Sequence, residues 1–146
     1  MTNERFTLRA AVYLMLIRDK QILLLRRFNT GWQDGNYSLI AGHLDGNETI
    51  IDTMIREAKE EAGILIKPKD LEVVHTMHRM SKINYEYIDF FLTANKWTGE
   101  IKNLEPNKCD ELKWFPLDNL PNNTLPHIKQ ALDCYNKHIT FSEMDF

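Results

Sequence analysis

The stretch Gly42–Ile64, GHLDGNETIIDTMIREAKEEAGI, decides the fold because a polar loop runs directly into a helix crowded with carboxylates. The first half contains two glycines among polar residues, which is typical of a loop. In the second half, Glu57, Glu60 and Glu61 stand at positions i, i+3 and i+4, which places the three side chains on one helical face. The sequence therefore predicts an acidic patch on one side of a helix.

Such a patch carries an electrostatic cost that a bound cation would remove. Like charges at i,i+4 destabilise an isolated helix by roughly 0.2–0.5 kcal/mol per pair. Clustered carboxylate oxygens suit hard divalent ions such as Mg²⁺ or Mn²⁺, and Mg²⁺ is often shared between protein carboxylates and substrate phosphates. The alternative is a solvated acidic face with no ligand, and the acids alone do not decide between the two.

The same stretch carries start and stop signals for the helix. Thr49 is a favourable N-cap, and Asp52, three residues later, resembles a capping box with Asp in place of Glu. Gly63 is typical of the residue that follows a helix, and Pro68 comes shortly after it. An apolar stripe at helical spacing predicts packing on a sheet: Ile51, Met54, Ile55, Ala58 and Ala62.

Outward from this helix, short apolar runs predict a mixed sheet. The predicted strands are 9–18, 21–27, 37–41, 71–80, 85–97 and 112–117, with a second helix over 127–137. The pair Asp19-Lys20 predicts a hairpin between the first two strands, and the SKIN turn at 81–84 joins the strands on either side of it. Strands and helices do not alternate regularly, so we expect an α/β fold of mixed α+β type, with the sheet between helices, in a single domain over 1–146.

Composition and charge restrict the class of protein. Charged residues make up 27% and the net charge is −3, which argues against a general binder of nucleic acid polymers or of anionic membranes. The two cysteines show no metal-binding spacing and are expected to be free thiols. The N-terminus has no apolar leader segment, so a cytoplasmic location is expected, and a homodimer is the commonest state if the protein assembles.

The central stretch resembles the signature of the Nudix (MutT-like) hydrolases, G-x5-E-x7-R-E-U-x-E-E-x-G-U, where U is an aliphatic residue. Only Ala58 departs slightly, because a larger aliphatic residue is more usual there. The resemblance implies the α/β/α sandwich of that family. The fixed places are filled by Gly42, Glu48, Arg56, Glu57, Glu60, Glu61, Gly63 and Ile64.

The resemblance also implies an activity, which is hydrolysis of a nucleoside diphosphate linked to another moiety. The leading expectation is a divalent-metal-dependent pyrophosphohydrolase that converts a canonical or oxidised nucleoside triphosphate to a monophosphate and pyrophosphate. A nucleoside diphosphate sugar or a dinucleoside polyphosphate is the alternative substrate. A non-catalytic nucleotide-sensing module is a further alternative, as is an isoprenoid diphosphate isomerase that would use Cys109.

Within the motif, the resemblance implies a role for each polar residue. Metal binding falls to Glu57, Glu60 and Glu61, together with the backbone carbonyl of Gly42. Glu57 is also the expected general base, and Glu60 belongs to the same catalytic group. Arg56 is expected to orient Glu60, its i,i+4 neighbour, and Glu48 plays a supporting part.

Outside the motif, the resemblance implies a further metal ligand and a phosphate contact. Glu105 matches a distant metal-binding acid of MutT-like triphosphatases, with Glu111 in reserve. Arg27 matches a phosphate-contacting arginine, and a guanidinium suits bidentate recognition of phosphate oxygens. Strand alternation predicts that Arg26 points to the opposite face.

Two further segments are predicted to hold the substrate's ring. Trp32 lies in a turn-rich connection and is expected to form a wall for a ligand ring, although a lid over the core is the alternative. The turn at Asn122, Asn123 and Thr124 falls near the family's base-reading loop, and an Asn amide offers both a donor and an acceptor. The same residues are also what any turn would contain.

Overall fold

The computed structural model describes residues 3–81 and 85–144, so residues 82–84 of the predicted SKIN turn lie outside the described residues. The described chain contains the β-strands β1 Arg9–Met15, β2 Ile17–Arg18, β3 Gln21–Arg27, β4 Tyr37–Ser38, β5 Ile40–His43, β6 Leu71–Met80, β7 Glu86–Ala94, β8 Cys109–Pro116 and β9 Phe141–Met144. It also contains the helices α1 Ile50–Ala62 and α2 Pro126–Asn136, and a 3₁₀ turn at Pro68–Asp70. None of the helices in these ranges is long and apolar enough to cross a membrane.

The strands form two sheets. The larger sheet has the order β5-β1-β7-β6-β9, with β1 parallel to β7, β6 parallel to β9, and the other neighbours antiparallel. In the smaller sheet, β3 pairs with β2 and β4, and also pairs antiparallel with β8. The mixed sheet expected from the sequence is therefore present, and the hairpin strands form a second sheet beside it.

The central strand β1 shows how the layers form, because its side chains alternate between two cores. One face packs with α1, and the opposite face packs with α2, which confirms a sheet between helices. The predicted apolar stripe of α1 provides the first contact, where Met54 is fully buried and its truncation to Ala would cost about 2–5 kcal/mol. The two sets are Val12, Leu14, Met54 and Ala58 on one face, and Tyr13, Met15, Ile128 and Leu132 on the other.

The ends of α1 agree with the sequence signals. The Thr49 hydroxyl accepts a hydrogen bond from the backbone N–H of Asp52, which satisfies one free donor of the first turn and contributes about 1 kcal/mol. Gly63 has φ 71° and its N–H donates to the carbonyl of Lys59 at 3.0 Å. This left-handed conformation favours glycine and ends the helix where predicted.

The structure corrects four strand predictions. The run 37–41 is two short strands, because β4 pairs with β3 in the smaller sheet and β5 pairs with β1 in the larger sheet. The run 9–18 is not one strand, because the pairing is interrupted at Leu16 and β2 then joins the smaller sheet. The strand predicted from Leu112 begins at Cys109, and β7 covers Glu86–Ala94 rather than 85–97. Strand β9 was not predicted, because its four residues are partly exposed and pair only with β6. The hairpin at Asp19-Lys20 is confirmed, with φ of 53° and 62° at its two residues.

Candidate active site

One cleft of about 750 Å³ brings the motif acids together with basic and aromatic residues from distant parts of the chain. Helix α1 and strand β5 form its acidic side, and the end of β3 with the following loop forms another side. Strands β1, β6 and β7 of the larger sheet contribute further lining residues. The charged and aromatic groups lining the cleft are Glu57, Glu60, Glu61, Glu105, Arg27, Arg79, Lys108, Tyr13, Trp32, His43 and Tyr87.

Gly42 sets the distance between β5 and α1. Its φ is not left-handed, so the backbone itself would accept other residues, but a Cβ built there would overlap the side chain of Glu57. The strand therefore approaches the helix more closely than a side chain would allow. This contact fixes the Glu57 carboxylate beside the backbone of Gly42, the two groups predicted to share a metal ion.

Arg56 forms an ion-pair network with three acids. Its guanidinium donates to Glu57 at 2.9 Å, to Glu60 at 3.3 Å and to Glu48 at 3.1 Å. Glu48 also accepts a hydrogen bond from the Thr53 hydroxyl at 2.9 Å. The predicted contact from Arg56 to Glu60 is thus present, and Glu48 lies where it can hold Arg56 in position.

Glu61 is the most desolvated of the motif acids. It accepts a hydrogen bond from the backbone N–H of Ala41 at 3.0 Å. Burial raises the pKa of Glu61 well above its usual range, and the nearby Glu57 and Glu105 raise it further. Burial also raises the pKa of Glu57, although Arg56 opposes that shift. A bound cation would favour the charged forms of both carboxylates, so these two acids gain most from a metal ion.

The acidic side of the cleft offers ligands for a divalent ion. The acidic residues that line the cleft offer carboxylate oxygens as metal ligands, and such oxygens suit Mg²⁺ or Mn²⁺. Within the described ranges, however, no three His, Cys, Asp or Glu side chains converge closely enough to hold an ion as they stand. Arg56 holds oxygens of Glu57 and Glu60, and half of the Glu60 side chain is exposed to solvent. The residues fit a metal chemically, and binding would require some of these carboxylates to reorient.

Glu105 lies in the same cleft, as the resemblance implied. Its charge contributes to the raised pKa of both Glu57 and Glu61, which places it within electrostatic reach of both. The reserve residue Glu111 is engaged elsewhere, because it accepts a hydrogen bond from the Tyr37 hydroxyl at 2.6 Å. Of these two acids, Glu105 is the one that lines the cleft.

Arg27 and Trp32 are held together at the cleft wall. The Nε of Arg27 donates to the carbonyl of Trp32 at 2.7 Å, and its Nη2 donates to the Thr30 hydroxyl at 2.9 Å. The guanidinium also lies 4.8 Å from the centre of the Trp32 ring. Arg27 therefore fixes this loop in addition to lining the cleft, while Arg26 pairs with Asp110 away from it.

The turn at Asn122, Asn123 and Thr124 does not line the cleft. The Asn123 amide donates to the carbonyl of Gly35 at 2.7 Å, and its backbone carbonyl accepts from the N–H of Tyr37. The buried Thr124 hydroxyl donates to the carbonyl of Pro121. These contacts tie the turn to the loop before β4, and base binding by this turn stays a prediction.

Arg79 is the main cleft residue that sequence reasoning missed. It lies on β6 and forms a buried ion pair with Asp89 on β7. A signal was present, because Arg79 shares a strand face with Met77 and His75, both of which are buried. A charged residue in register with inward-facing residues indicates a buried partner or a ligand.

Cys109 does not have the properties of a reactive thiol. Burial raises its pKa, and its Sγ lies 3.1 Å from the backbone carbonyl of Glu111. The thiolate is the nucleophilic form, so a raised pKa makes this cysteine less nucleophilic than an ordinary thiol at neutral pH. The geometry therefore argues against the isomerase alternative.

Comparison with known proteins agrees with the fold. The model of the NUDIX domain matches residues 7–134, and the chain belongs to this family. Its members are hydrolases that generally use a divalent metal, and this chain is a Nudix hydrolase that acts on phosphorus-containing acid anhydrides.

Individual relatives span several named activities. The chain is 30% identical over 123 residues to an ADP-ribose pyrophosphatase of Methanocaldococcus jannaschii, covering 84% of this chain and 70% of the relative. It is 26% identical over 112 residues to a mouse oxidized purine nucleoside triphosphate hydrolase, covering 74% and 67%. A MutT NUDIX hydrolase structure from Burkholderia pseudomallei superposes with a TM-score of 0.80 and 25% identity, covering 88% and 98%. The match to the mouse 8-oxo-dGDP phosphatase NUDT18 is 32% identical over 89 residues, which are 60% of this chain and 26% of that protein.

Proposed function

We propose that this protein is a divalent-metal-dependent pyrophosphohydrolase that converts a nucleoside triphosphate, canonical or oxidised, to a monophosphate and pyrophosphate. One observation carries the proposal. A single cleft joins the carboxylates of Glu57, Glu60, Glu61 and Glu105 to the guanidinium of Arg27. Carboxylates without a counter-ion would repel a phosphate chain, so the acidic side requires a metal to accept this substrate.

The motif residues divide the work at the metal. The ion would be held by Glu57, Glu60, Glu61, Glu105 and the carbonyl of Gly42. When bound, it neutralises phosphate oxygens and lowers the pKa of a coordinated water. In the reaction, a water oxygen bonds to one phosphorus of the α–β phosphoanhydride, the bridging P–O bond at that phosphorus breaks to release monophosphate and pyrophosphate, and Glu57 accepts the water's proton.

The remaining residues position these groups and the substrate. Arg56 orients the carboxylates of Glu57 and Glu60 by donating hydrogen bonds to both, and its contact with Glu48 fixes the position of Arg56. Two nitrogens of Arg27 already bind its own loop, and Nη1 is left to contact a phosphate oxygen. Trp32 is 40% exposed beside it and offers a ring face for stacking.

A nucleoside diphosphate sugar is the second candidate substrate. The observation that favours it is the similarity to the ADP-ribose pyrophosphatase, which reaches 30% identity over 84% of this chain. Both substrates contain a phosphoanhydride that could be cleaved at the acidic side of the cleft. They differ in the group beyond the second phosphate.

The test is a panel of nucleotides incubated with the purified protein and Mg²⁺ or Mn²⁺, with products separated by ion-exchange chromatography. The panel contains canonical and 8-oxo nucleoside triphosphates, ADP-ribose and a dinucleoside tetraphosphate. Release of monophosphate and pyrophosphate from a triphosphate supports the first candidate. Release of AMP and ribose 5-phosphate from ADP-ribose, without triphosphate turnover, supports the second. Tight nucleotide binding with no turnover of any compound would favour a sensing module and overturn the proposal.

A further inference from the structure

A buried ion pair forms part of the cleft lining. Arg79 on β6 donates through both Nε and Nη2 to the carboxylate of Asp89 on β7. The side chains are 5% and 0% exposed, and the Tyr87 ring lies 4.6 Å from the Arg79 guanidinium carbon. Arg79 is therefore held by a bidentate contact at one edge and an aromatic ring against its plane.

Stability alone does not account for this pair. Desolvating two charges costs several kcal/mol, and well-packed apolar residues of similar volume are often as stable or more stable. The pair also leaves donors unused, because Nη1 of Arg79 bonds to no residue in 3–81 or 85–144. Arg79 lines the cleft, so a fixed guanidinium with free donors is available to a ligand.

A buried polar group without a hydrogen-bond partner lies behind the aromatic wall of the cleft. The Nε2 of His127 on α2 is the only buried side-chain nitrogen or oxygen without a partner in the described part of the chain. The His127 ring lies 5.4 Å from the Tyr13 ring and 6.4 Å from the Trp32 ring, and both of those rings line the cleft. Buried polar groups in native proteins are almost always paired, so this nitrogen indicates a ligand or an ordered water.

The Arg79–Asp89 pair and His127 together carry no net charge, whereas Arg27, on the wall beside Trp32, stays a cation. Burial lowers the pKa of His127 to about 3, and the charges of Arg79 and Arg27 lower it further, so the imidazole is uncharged at neutral pH. The positive charge of Arg79 is matched by Asp89. The ligand group that fits is therefore an uncharged one with hydrogen-bond acceptors, in contrast to the phosphates expected at the acidic end.

The surroundings also restrict the shape of that group. Tyr13, Trp32 and Tyr87 contribute aromatic surface to the cleft, and flat rings stack favourably on such surfaces. A guanidinium fork recognises two adjacent acceptors, and on a purine these are O6 and N7 of a 6-oxo base. Adenine places an amino donor beside N7, which would face the donors of Arg79.

We propose that Arg79, held by Asp89, is a specificity residue that recognises the paired acceptors of an uncharged 6-oxopurine ring at the end of the cleft opposite the acidic helix. This inference rests on the proposed nucleotide hydrolysis, whose substrate class it narrows to guanine and hypoxanthine nucleotides. The partner at the Nε2 of His127 is then the ring or a water bound to it.

The test measures binding of nucleoside monophosphates in the presence of Mg²⁺, and because these nucleotides contain no phosphoanhydride the measurement is independent of catalysis. GMP, IMP and AMP are titrated into the wild-type protein and into Arg79→Lys by calorimetry or NMR, with tripolyphosphate as a phosphate-only probe. Lysine retains the charge beside Asp89 and loses the fork. Arg26→Lys is the matched control, because Arg26 makes the same Nε and Nη2 contacts with Asp110 outside the cleft.

We expect wild-type protein to bind GMP and IMP about 5- to 100-fold more tightly than AMP. Arg79→Lys should bring that ratio close to one and leave tripolyphosphate binding unchanged. The control Arg26→Lys should keep the wild-type ratio. If Arg79→Lys does not fold, the double variant Arg79→Met with Asp89→Leu removes both charges and serves the same purpose.

Three results would overturn the inference. The first is equal affinity of the wild-type protein for GMP and AMP. The second is equal weakening of the binding of all three nucleotides by Arg79→Lys. The third is selective loss of tripolyphosphate binding in Arg79→Lys, which would make Arg79 a phosphate ligand. The nucleotide panel separates the two levels of the account. Hydrolysis without base preference removes only this inference, whereas base preference without hydrolysis removes the proposed function.

Discussion

The backbone of Gly42 lies directly against the carboxylate of Glu57, closer than any Cβ would permit. Two separate elements, the end of β5 and the second turn of α1, are locked together by this contact. A motif glycine and a motif glutamate fifteen positions apart thus have one structural explanation.

Gly42→Ala is expected to reduce activity strongly while leaving the helix folded. The new methyl group would displace Glu57, because the φ of Gly42 is not left-handed and the cost is therefore steric. We expect a kcat decrease of at least about 100-fold, in line with the sensitivity of catalysis to small displacements. Steady-state kinetics and thermal unfolding measure the two effects. Adding Glu57→Asp should relieve the overlap and raise Tm without restoring kcat, and a Gly42→Ala enzyme of normal activity would contradict the account.

Arg56→Lys is expected to weaken metal use more than stability. A lysine cannot hold Glu48, Glu57 and Glu60 at once, so the carboxylates lose their common orientation. The concentration of Mg²⁺ giving half-maximal rate should rise by about 10- to 100-fold. Lys59→Gln, on an exposed position of the same helix, is the control and should titrate like wild type. An unchanged metal titration in Arg56→Lys would remove its positioning role.

His127→Leu is expected to stabilise the ligand-free protein. The leucine fills a similar volume and removes the buried, unpartnered Nε2, which costs roughly 1–3 kcal/mol while it lacks a hydrogen bond. Urea unfolding at pH 7 measures this gain. A loss of stability would show that the nitrogen has a partner, such as an ordered water.

The same variant tests the direction of a pH effect. Native His127 has a pKa of about 3, lowered by burial from an ordinary value of 6.5. Between these values the unfolded chain binds a proton that the native protein does not, so His127 costs wild type stability as pH falls from 6.5 to 3. The advantage of His127→Leu should therefore grow by about 1.4 kcal/mol per pH unit in this window. Other titrating groups are common to both proteins, so a constant difference from pH 7 to pH 4 would contradict the shift.

Local signals explain how much could be predicted from the sequence. Thr49 and Gly63 bounded α1 correctly, because caps depend on neighbouring backbone groups alone. The i,i+4 relationship of Arg56 and Glu60 was predicted for the same reason. The alternation of β1 between the two cores also follows from strand periodicity.

Long-range pairing explains what was missed. Arg79 and Asp89 meet across two strands, and the sequence does not state that register. The amide of Asn123 donates to the carbonyl of Gly35, 88 residues away, a contact that the composition of the turn does not predict. Strand β9 forms only because β6 offers a free edge. Each of these contacts depends on how elements assemble, which local patterns do not encode.

The most direct test of the account is the turnover of Glu60→Gln with a nucleoside triphosphate and Mg²⁺. Glutamine keeps the shape of the side chain and removes the charge that a metal needs, and the 50% exposed side chain contributes little to stability. The account predicts that kcat falls by more than about 100-fold, beyond the usual cost of losing a supporting group, while Tm stays near that of wild type. A rate close to wild type would contradict the assignment of metal binding and catalysis to the acidic face of α1.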